Sequence, residues 1–215
     1  RTVTRQLSKL ASGLVRTCLD LASQQSGISA NNFVVIALGK HGAEELNYSS
    51  DIDLLFVAAY DPMEKLKLGE RLIENIGSVT PEGFLYRVDM RLRPWGRVGP
   101  LISTVDGYLT YLARDARLWE KQALLRARVV AGDEPVGTGF LRRADPLLFS
   151  AGAESVRAEV HAMKQLTEAQ LRQADRICVL EHGRVIELGT HDELIALGGR
   201  YRTMFELQAS RFGGG

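Results

Sequence analysis

Six consecutive apolar residues, Phe33-Val34-Val35-Ile36-Ala37-Leu38, constrain this chain most. The run is too short for a helix and rich in β-branched side chains, so it predicts a buried strand. Gly39, Gly42 and the polar Asn47-Tyr48-Ser49-Ser50 connect it to a second apolar run, Ile52 to Ala58, which predicts a second strand. A sheet therefore lies at the centre of the fold.

Before it, Leu7, Leu10, Leu14, Cys18 and Leu21 recur at three- and four-residue steps and predict an amphipathic helix over 5–25. After it, Asp61-Pro62 opens a helix with Met63, Leu66, Leu72, Ile73 and Ile76 on one face. Pro81-Glu82-Gly83 is a turn into a third strand, Phe84 to Leu92, and Pro94, Gly96, Gly99 and Pro100 mark an irregular loop. Helical patterns return from Val105 to Arg128 and, beyond the stretch Gly132 to Gly139, continue to about Gln173. There the character changes. Arg176 to Leu180, the turn Glu181-His182-Gly183 and Arg184 to Glu187 predict a hairpin. Thr190 and Glu193 form a capping box that opens a last helix, Asp192 to Gln208.

Composition excludes several classes. A formal net charge of +1 gives no field that would draw nucleic acid, so any basic site is local. The two cysteines, Cys18 and Cys178, match no metal-ligand spacing and suit a reduced cytoplasmic protein. No apolar run approaches the roughly 18 residues of a membrane span, and Arg1-Thr2-Val3-Thr4 is not a signal peptide. With no initiator Met and a Gly213-Gly214-Gly215 end, the chain reads as an excised fragment.

The chemistry is concentrated in two segments. Side chains alternate along a strand, so Asp51 and Asp53 share one face while Ile52 and Leu54 take the other. Two such carboxylates repel unless a cation lies between them, and oxygen ligands suit Mg²⁺. The bare Asp-x-Asp triplet also serves as a turn-capping acid at strand entries. In the third strand Phe84, Tyr86, Val88, Met90 and Leu92 form a core face, while Arg87, Asp89, Arg91 and Arg93 form the other. That face is either solvated and self-compensating, or a third metal carboxylate, Asp89, flanked by Arg91 and Arg93 as bidentate phosphate ligands. Gly39-Lys40-His41-Gly42 can present backbone amides and the Lys40 charge to an anion. His41 reads as a surface histidine, and Ser49 and Ser50 either bind phosphate or cap the strand entry. No Walker A motif occurs.

Three ordered blocks are family-specific: Leu38-Gly39-Lys40-His41-Gly42 with Glu45 to Leu54, Tyr86 to Gly96 with Gly99-Pro100-Leu101, and Trp119 to Arg128 with Ala131-Gly132-Asp133. They resemble the nucleotidyltransferase domain of glutamine synthetase adenylyltransferase, a bifunctional enzyme of the polymerase-β-type superfamily. The resemblance spans about residues 5–164. It implies an α+β fold, a small mixed sheet with helices, to which the local patterns after residue 173 append a β-hairpin and helix. It implies Asp51, Asp53 and Asp89 as metal-binding, catalytic carboxylates. It implies that Gly39 opens the nucleotide-binding turn; together with Lys40, Ser49, Ser50, Arg91 and Arg93 from the reading above, this makes the expected nucleotide site, with Mg²⁺ as cofactor and ATP, ADP or AMP as nucleotide. Glutamine synthetase is the implied protein substrate, with neither nucleic acid nor membrane as partner; nitrogen-signalling regulators would act through other parts of the family enzyme.

One family domain attaches AMP from ATP to a tyrosine, and the other removes it by phosphorolysis, releasing ADP. Asn47 to Asp53, Met90, Pro94-Trp95-Gly96 and Gly99-Pro100-Leu101 look more like the removing domain. The alternatives are the attaching reaction or a nucleotide-binding fragment without activity. His41 and Ala43 stand where the family more often has Leu and Gly, and the family's helical region after Lys164 is missing. In its place, residues about 173–212 resemble the extreme C-terminus of an ABC transporter ATPase domain, without its phosphate loop. The expected organisation is therefore 1–30 helical, 31–150 nucleotidyltransferase core, 151–173 helical connection and 174–215 tail.

Overall fold

The computed structural model describes residues 2–149 and 153–211. The chain divides into two compact units, Arg1–Ala151 and Gly152–Gly215.

The first unit opens with α1 (Thr2–Ser26). Its buried stripe is rotated from the predicted one: Leu10 and Leu21 are exposed, while Ser8, Ala11, Ser12, Val15, Cys18, Leu19 and Ala22 are buried. Small side chains let a helix lie close to its neighbours. The two buried serines are satisfied along the helix, Ser8 Oγ donating to Thr4 O and Ser12 Oγ to Ser8 O, both at 2.9 Å.

β1 (Phe33–Ala37) is buried throughout, as predicted. A single helical turn, α2 (Gly39–Gly42), follows, then β2 (Ile52–Ala58), which pairs antiparallel with β1. Helix α3 (Leu66–Gly77) buries Leu68, Leu72 and Ile76, but Met63, predicted on that face, is exposed in the turn before it. The reason is local: Asp61 has φ 40° and its carboxylate accepts from Glu64 N, so the chain turns before it winds.

The third strand is shorter than the pattern predicts. Only β3 (Val88–Asp89) forms a ladder, parallel to β2. Upstream, Thr80 and Gly83 close a tight bridge, and the segment is then held by single bonds, Tyr86 N to Ile76 O and Ile52 N to Arg87 O. The alternation survives from Tyr86 to Leu92, with Arg87 and Arg91 exposed. Phe84, predicted in the core, is exposed.

β4 (Ile102–Thr104) pairs parallel with the second half of β2. β3 and β4 thus lie end to end along one edge of β2, and residues 90–101 bridge the gap. α4 (Val105–Arg114) is capped by Thr104, whose hydroxyl accepts from Gly107 N. α5 (Leu118–Leu124), β5 (Arg128–Gly132) and α6 (Glu134–Leu148) complete the unit. β5 pairs antiparallel with β1, so the sheet runs β3-β2-β1-β5 with β4 also on β2. Its two faces follow the period of two: Phe33, Val35, Leu54 and Phe56 pack toward α1 and α3, while Val34, Ile36, Leu55 and Val57 pack toward α4 and α6. This is the small mixed sheet with helices of an α+β fold.

In the second unit α7 (Ala153–Gln173) precedes the hairpin of β6 (Ile177–Glu181) and β7 (Arg184–Gly189). His182 and Gly183, at φ 49° and 75°, give the left-handed pair of a two-residue hairpin turn. The predicted last helix is two helices, α8 (His191–Leu197) and α9 (Arg200–Arg211), because Gly198 at φ 68° caps the first. The Thr190–Glu193 capping box is present. Val179, Leu194 and Tyr201 form a core of this unit's own. No helix among the described residues is long and apolar enough to cross a membrane.

Candidate active site

Asp53 is the second residue of β2, and the parallel register sets it beside Asp89 of β3. Asp51 lies two residues upstream, at the strand entry. The three carboxylates are within electrostatic reach of one another: burial first, then the charges of Asp89 and Asp51, push the Asp53 carboxyl above its ordinary range.

Arginines neutralise two of the three. Arg87 Nε donates to Asp51 Oδ1 at 2.6 Å. Arg91 forks onto Asp89, its Nε 2.8 Å from Oδ2 and its NH2 on the same oxygen, and its backbone N–H reaches Oδ1 at 2.8 Å. These bonds hold the Asp89 carboxyl below its usual range, against the opposing effect of burial. Among the described residues no hydrogen bond or ion pair reaches the Asp53 carboxylate; Arg91 and Lys40 act on it only through their charges.

Gly39 forms the other wall. It has φ +52°, and a Cβ placed there would fall 2.4 Å from Asp53 Oδ2. Two separate constraints, a left-handed backbone and a close approach, therefore exclude a side chain. Gly39 starts the α2 turn, whose first amides lack intrahelical partners. The turn is braced from behind: Arg128 NH2 donates to His41 O at 3.2 Å, and Arg126 NH1 pairs with Glu45 at 2.8 Å.

His41 is not at the surface. It is fully buried, with Nε2 3.0 Å from Ser12 Oγ. That hydroxyl already donates to Ser8 O, so the imidazole donates through Nε2 and its Nδ1 is left without a partner. Burial, then the Arg128 charge, lowers its pKa to about 4, so it is neutral, and its one N–H is given to Ser12 and not to phosphate.

The remaining predicted residues divide. Ser50 Oγ accepts from Asn47 N at 3.1 Å and so caps the strand entry, while Ser49 is exposed beside it. Arg93 turns away from the carboxylates: its guanidinium donates to Met90 O, Arg97 O and Gly99 O at 3.1, 3.1 and 3.3 Å. It shapes the bridging segment and does not stand ready for phosphate. The same segment is anchored by Trp95, whose ring lies 4.8 Å from that of Tyr111; Tyr111 donates to the buried Glu120 at 2.5 Å. Glu120, Arg126 and Arg128 escaped the sequence reading as site supports, although all three belong to the third family block.

Among the described residues no three His, Cys, Asp or Glu side chains already converge where a metal ion could sit. The donor chemistry still suits a hard cation: three carboxylates, one of them destabilised by the other two and bonded to no cation among the described residues, against a wall free of side chains.

The family model described as glutamate-ammonia ligase adenylyltransferase matches residues 1–143. The chain belongs to this family. Among relatives of the adenylyltransferase, the bifunctional glutamine synthetase adenylyltransferase/adenylyl-removing enzyme of Thioalkalivibrio sulfidiphilus is 38% identical over 182 residues, covering 77% of this chain and 19% of that protein. The enzyme of the same name from Mycobacterium leprae is 39% identical, covering 87% of this chain and 18% of that protein. The one from Aromatoleum aromaticum is 34% identical and covers 91% of this chain and 22% of that protein, which carries the similarity past Gln173 into the second unit. The chain thus spans about a fifth of the length of these adenylyltransferase relatives.

Proposed function

We propose that the first unit is the chemical core of a nucleotidyltransferase that removes AMP from a tyrosine of glutamine synthetase by phosphorolysis, releasing ADP. The observation that carries this reading is the in-register pairing of Asp53 with Asp89 against the bare wall of Gly39. The family's relatives bear both activities in their name, and the wording of residues 47–53 and 90–101 resembles the removing domain.

Asp51, Asp53 and Asp89 would hold Mg²⁺, which when bound supplies positive charge at the transferring phosphoryl group. Lys40 and the first amides of α2 receive phosphate oxygens. Arg91 exchanges its grip on Asp89 for a phosphate, an exchange open to it because it is exposed. Ser49 and Ser50 border the nucleotide, and Arg93 acts by holding the segment that follows Asp89. In the reaction a phosphate oxygen bonds to the AMP phosphorus, the bond to the tyrosyl oxygen breaks, and the phenol leaves with a proton.

The direct test uses ³²P-labelled phosphate, Mg²⁺ and AMP-modified glutamine synthetase. Label recovered in ADP supports removal. Label absent from ADP while AMP is incorporated from ATP into the unmodified enzyme assigns the opposite direction.

A further inference from the structure

A cleft of about 300 Å³ opens beside Asp51, lined by Tyr48, Phe84 and Tyr86 together with Ser50, Asp51 and Arg87. Tyr86 packs against the core of the first unit, but the other two rings are not explained by it. Tyr48 is 82% exposed and Phe84 51%, although the alternation of the third strand places Phe84 inside. Gathering large apolar rings around one solvent-filled cleft marks a place where something else covers them.

The backbone holds this arrangement independently of any packing between rings. On one side the Thr80–Gly83 bridge ends the preceding turn, and Tyr86 N and Arg87 O are bonded to α3 and β2. On the other, Ser50 N donates to Asn47 O while Ser50 Oγ accepts from Asn47 N, fixing the turn that carries Tyr48. The cleft is also continuous with the chemistry. Asp51 and Arg87, which line it, are joined by the 2.6 Å ion pair at the edge of the carboxylate group.

Resting on the phosphoryl-transfer reading above, we infer that this cleft is the base subsite: it stacks the adenine ring of the AMP group and so sets the phosphate beside Asp51, Asp53 and Asp89. Two features favour a nucleoside over the phenol ring of the tyrosine. The cleft lies in the size range of small-ligand sites, more than one phenol needs. Its Ser50 hydroxyl and Arg87 guanidinium offer hydrogen bonds that a base and ribose use and a phenol does not. Aromatic side chains also accept a base without demanding a particular edge pattern.

The test compares AMP, pyrophosphate and phenyl phosphate binding to the full chain in Mg²⁺ by calorimetry, for wild type, Tyr48→Ala, Phe84→Ala and Phe84→Trp. Both alanine variants remove exposed rings, and unchanged circular dichroism confirms their fold. The expected result is AMP affinity about tenfold weaker in each alanine variant, pyrophosphate affinity unchanged, and AMP affinity retained in Phe84→Trp. Unchanged AMP affinity in both alanine variants overturns the assignment. So does weakened phenyl phosphate with unchanged AMP, which gives the cleft to the tyrosyl ring. Wild type that binds neither AMP nor pyrophosphate fails the phosphoryl-transfer reading itself, and the subsite falls with it.

Discussion

Asp53 stands beside Asp89 in the parallel register of β2 and β3, and of the three acidic side chains it is the one with no arginine bonded to it among the described residues. Its folded-state pKa is raised, by burial and by its two acidic neighbours. A carboxyl of that kind binds its proton more tightly in the folded chain than in the unfolded one. In its ionised form it opposes folding; that opposition fades as pH falls through the folded pKa and is gone below the unfolded one. Asp53→Asn should therefore raise the melting temperature in EDTA by roughly 2–4 °C. The same variant should abolish the further rise that Mg²⁺ gives the wild type. Thermal melts with and without Mg²⁺ check both; a destabilised variant that still responds to Mg²⁺ contradicts this account of the site.

Gly39→Ala places a methyl group 2.4 Å from Asp53 Oδ2 and asks alanine for φ +52°. The expected cost is about 1–2 kcal/mol in denaturant unfolding. Turnover should fall about a hundredfold, because the displaced carboxylate is in the site. Normal turnover in this variant would show that the turn does not form the wall of the site.

Arg91 and Arg93 are adjacent on the predicted charged face yet separate in the fold, which their lysine variants should reveal. Arg91→Lys loses a forked grip on anions, so the phosphate KM should rise about tenfold with little change in stability. Arg93→Lys cannot reach three carbonyls at once, so unfolding should cost roughly 1–2 kcal/mol less, with kcat reduced more than KM. Steady-state kinetics paired with denaturation curves separate the two. Equal KM effects would mean that Arg93 also contacts phosphate.

His41 supplies a pH dependence. Its pKa is depressed from 6.5 to about 4 in the folded chain. Its stability contribution is therefore complete above pH 6.5 and is lost as pH falls toward 4, on the order of 3 kcal/mol in all. His41→Gln, whose amide can still donate to Ser12, should flatten the fall in unfolding free energy across that window. Parallel curves for the two proteins would exclude His41 as its source.

The sheet and its carboxylates were legible in the sequence because they follow short-range rules. The buried β1 run and the shared face of Asp51 and Asp53 need no knowledge of distant contacts, and Asp89 is placed with them by the family resemblance. What was not legible depends on such contacts. The burial of His41 requires Ser12 of α1 and Arg128 of β5 on either side of it. Arg93 looked like a phosphate ligand because alternation records a face, not the carbonyls that residues 90–99 turn back toward it. β4 and β5 are stabilised by pairing with β2 and β1, and beside helical segments their short patterns carry no signal of their own. In the second unit the hairpin turn and the Thr190 cap were visible as local chemistry, while the break at Gly198 was read through as helix.

The central claim is that AMP is removed at the Asp53–Asp89 pair, and the most direct measurement is ADP release from AMP-modified glutamine synthetase with phosphate and Mg²⁺. Wild type, Asp53→Asn and Asp89→Asn are assayed side by side, with folding verified by circular dichroism. The account predicts phosphate-dependent ADP from the wild type and a loss of at least about a hundredfold in each folded variant. ADP release at the wild-type rate from either variant, or free AMP released without phosphate, would contradict it.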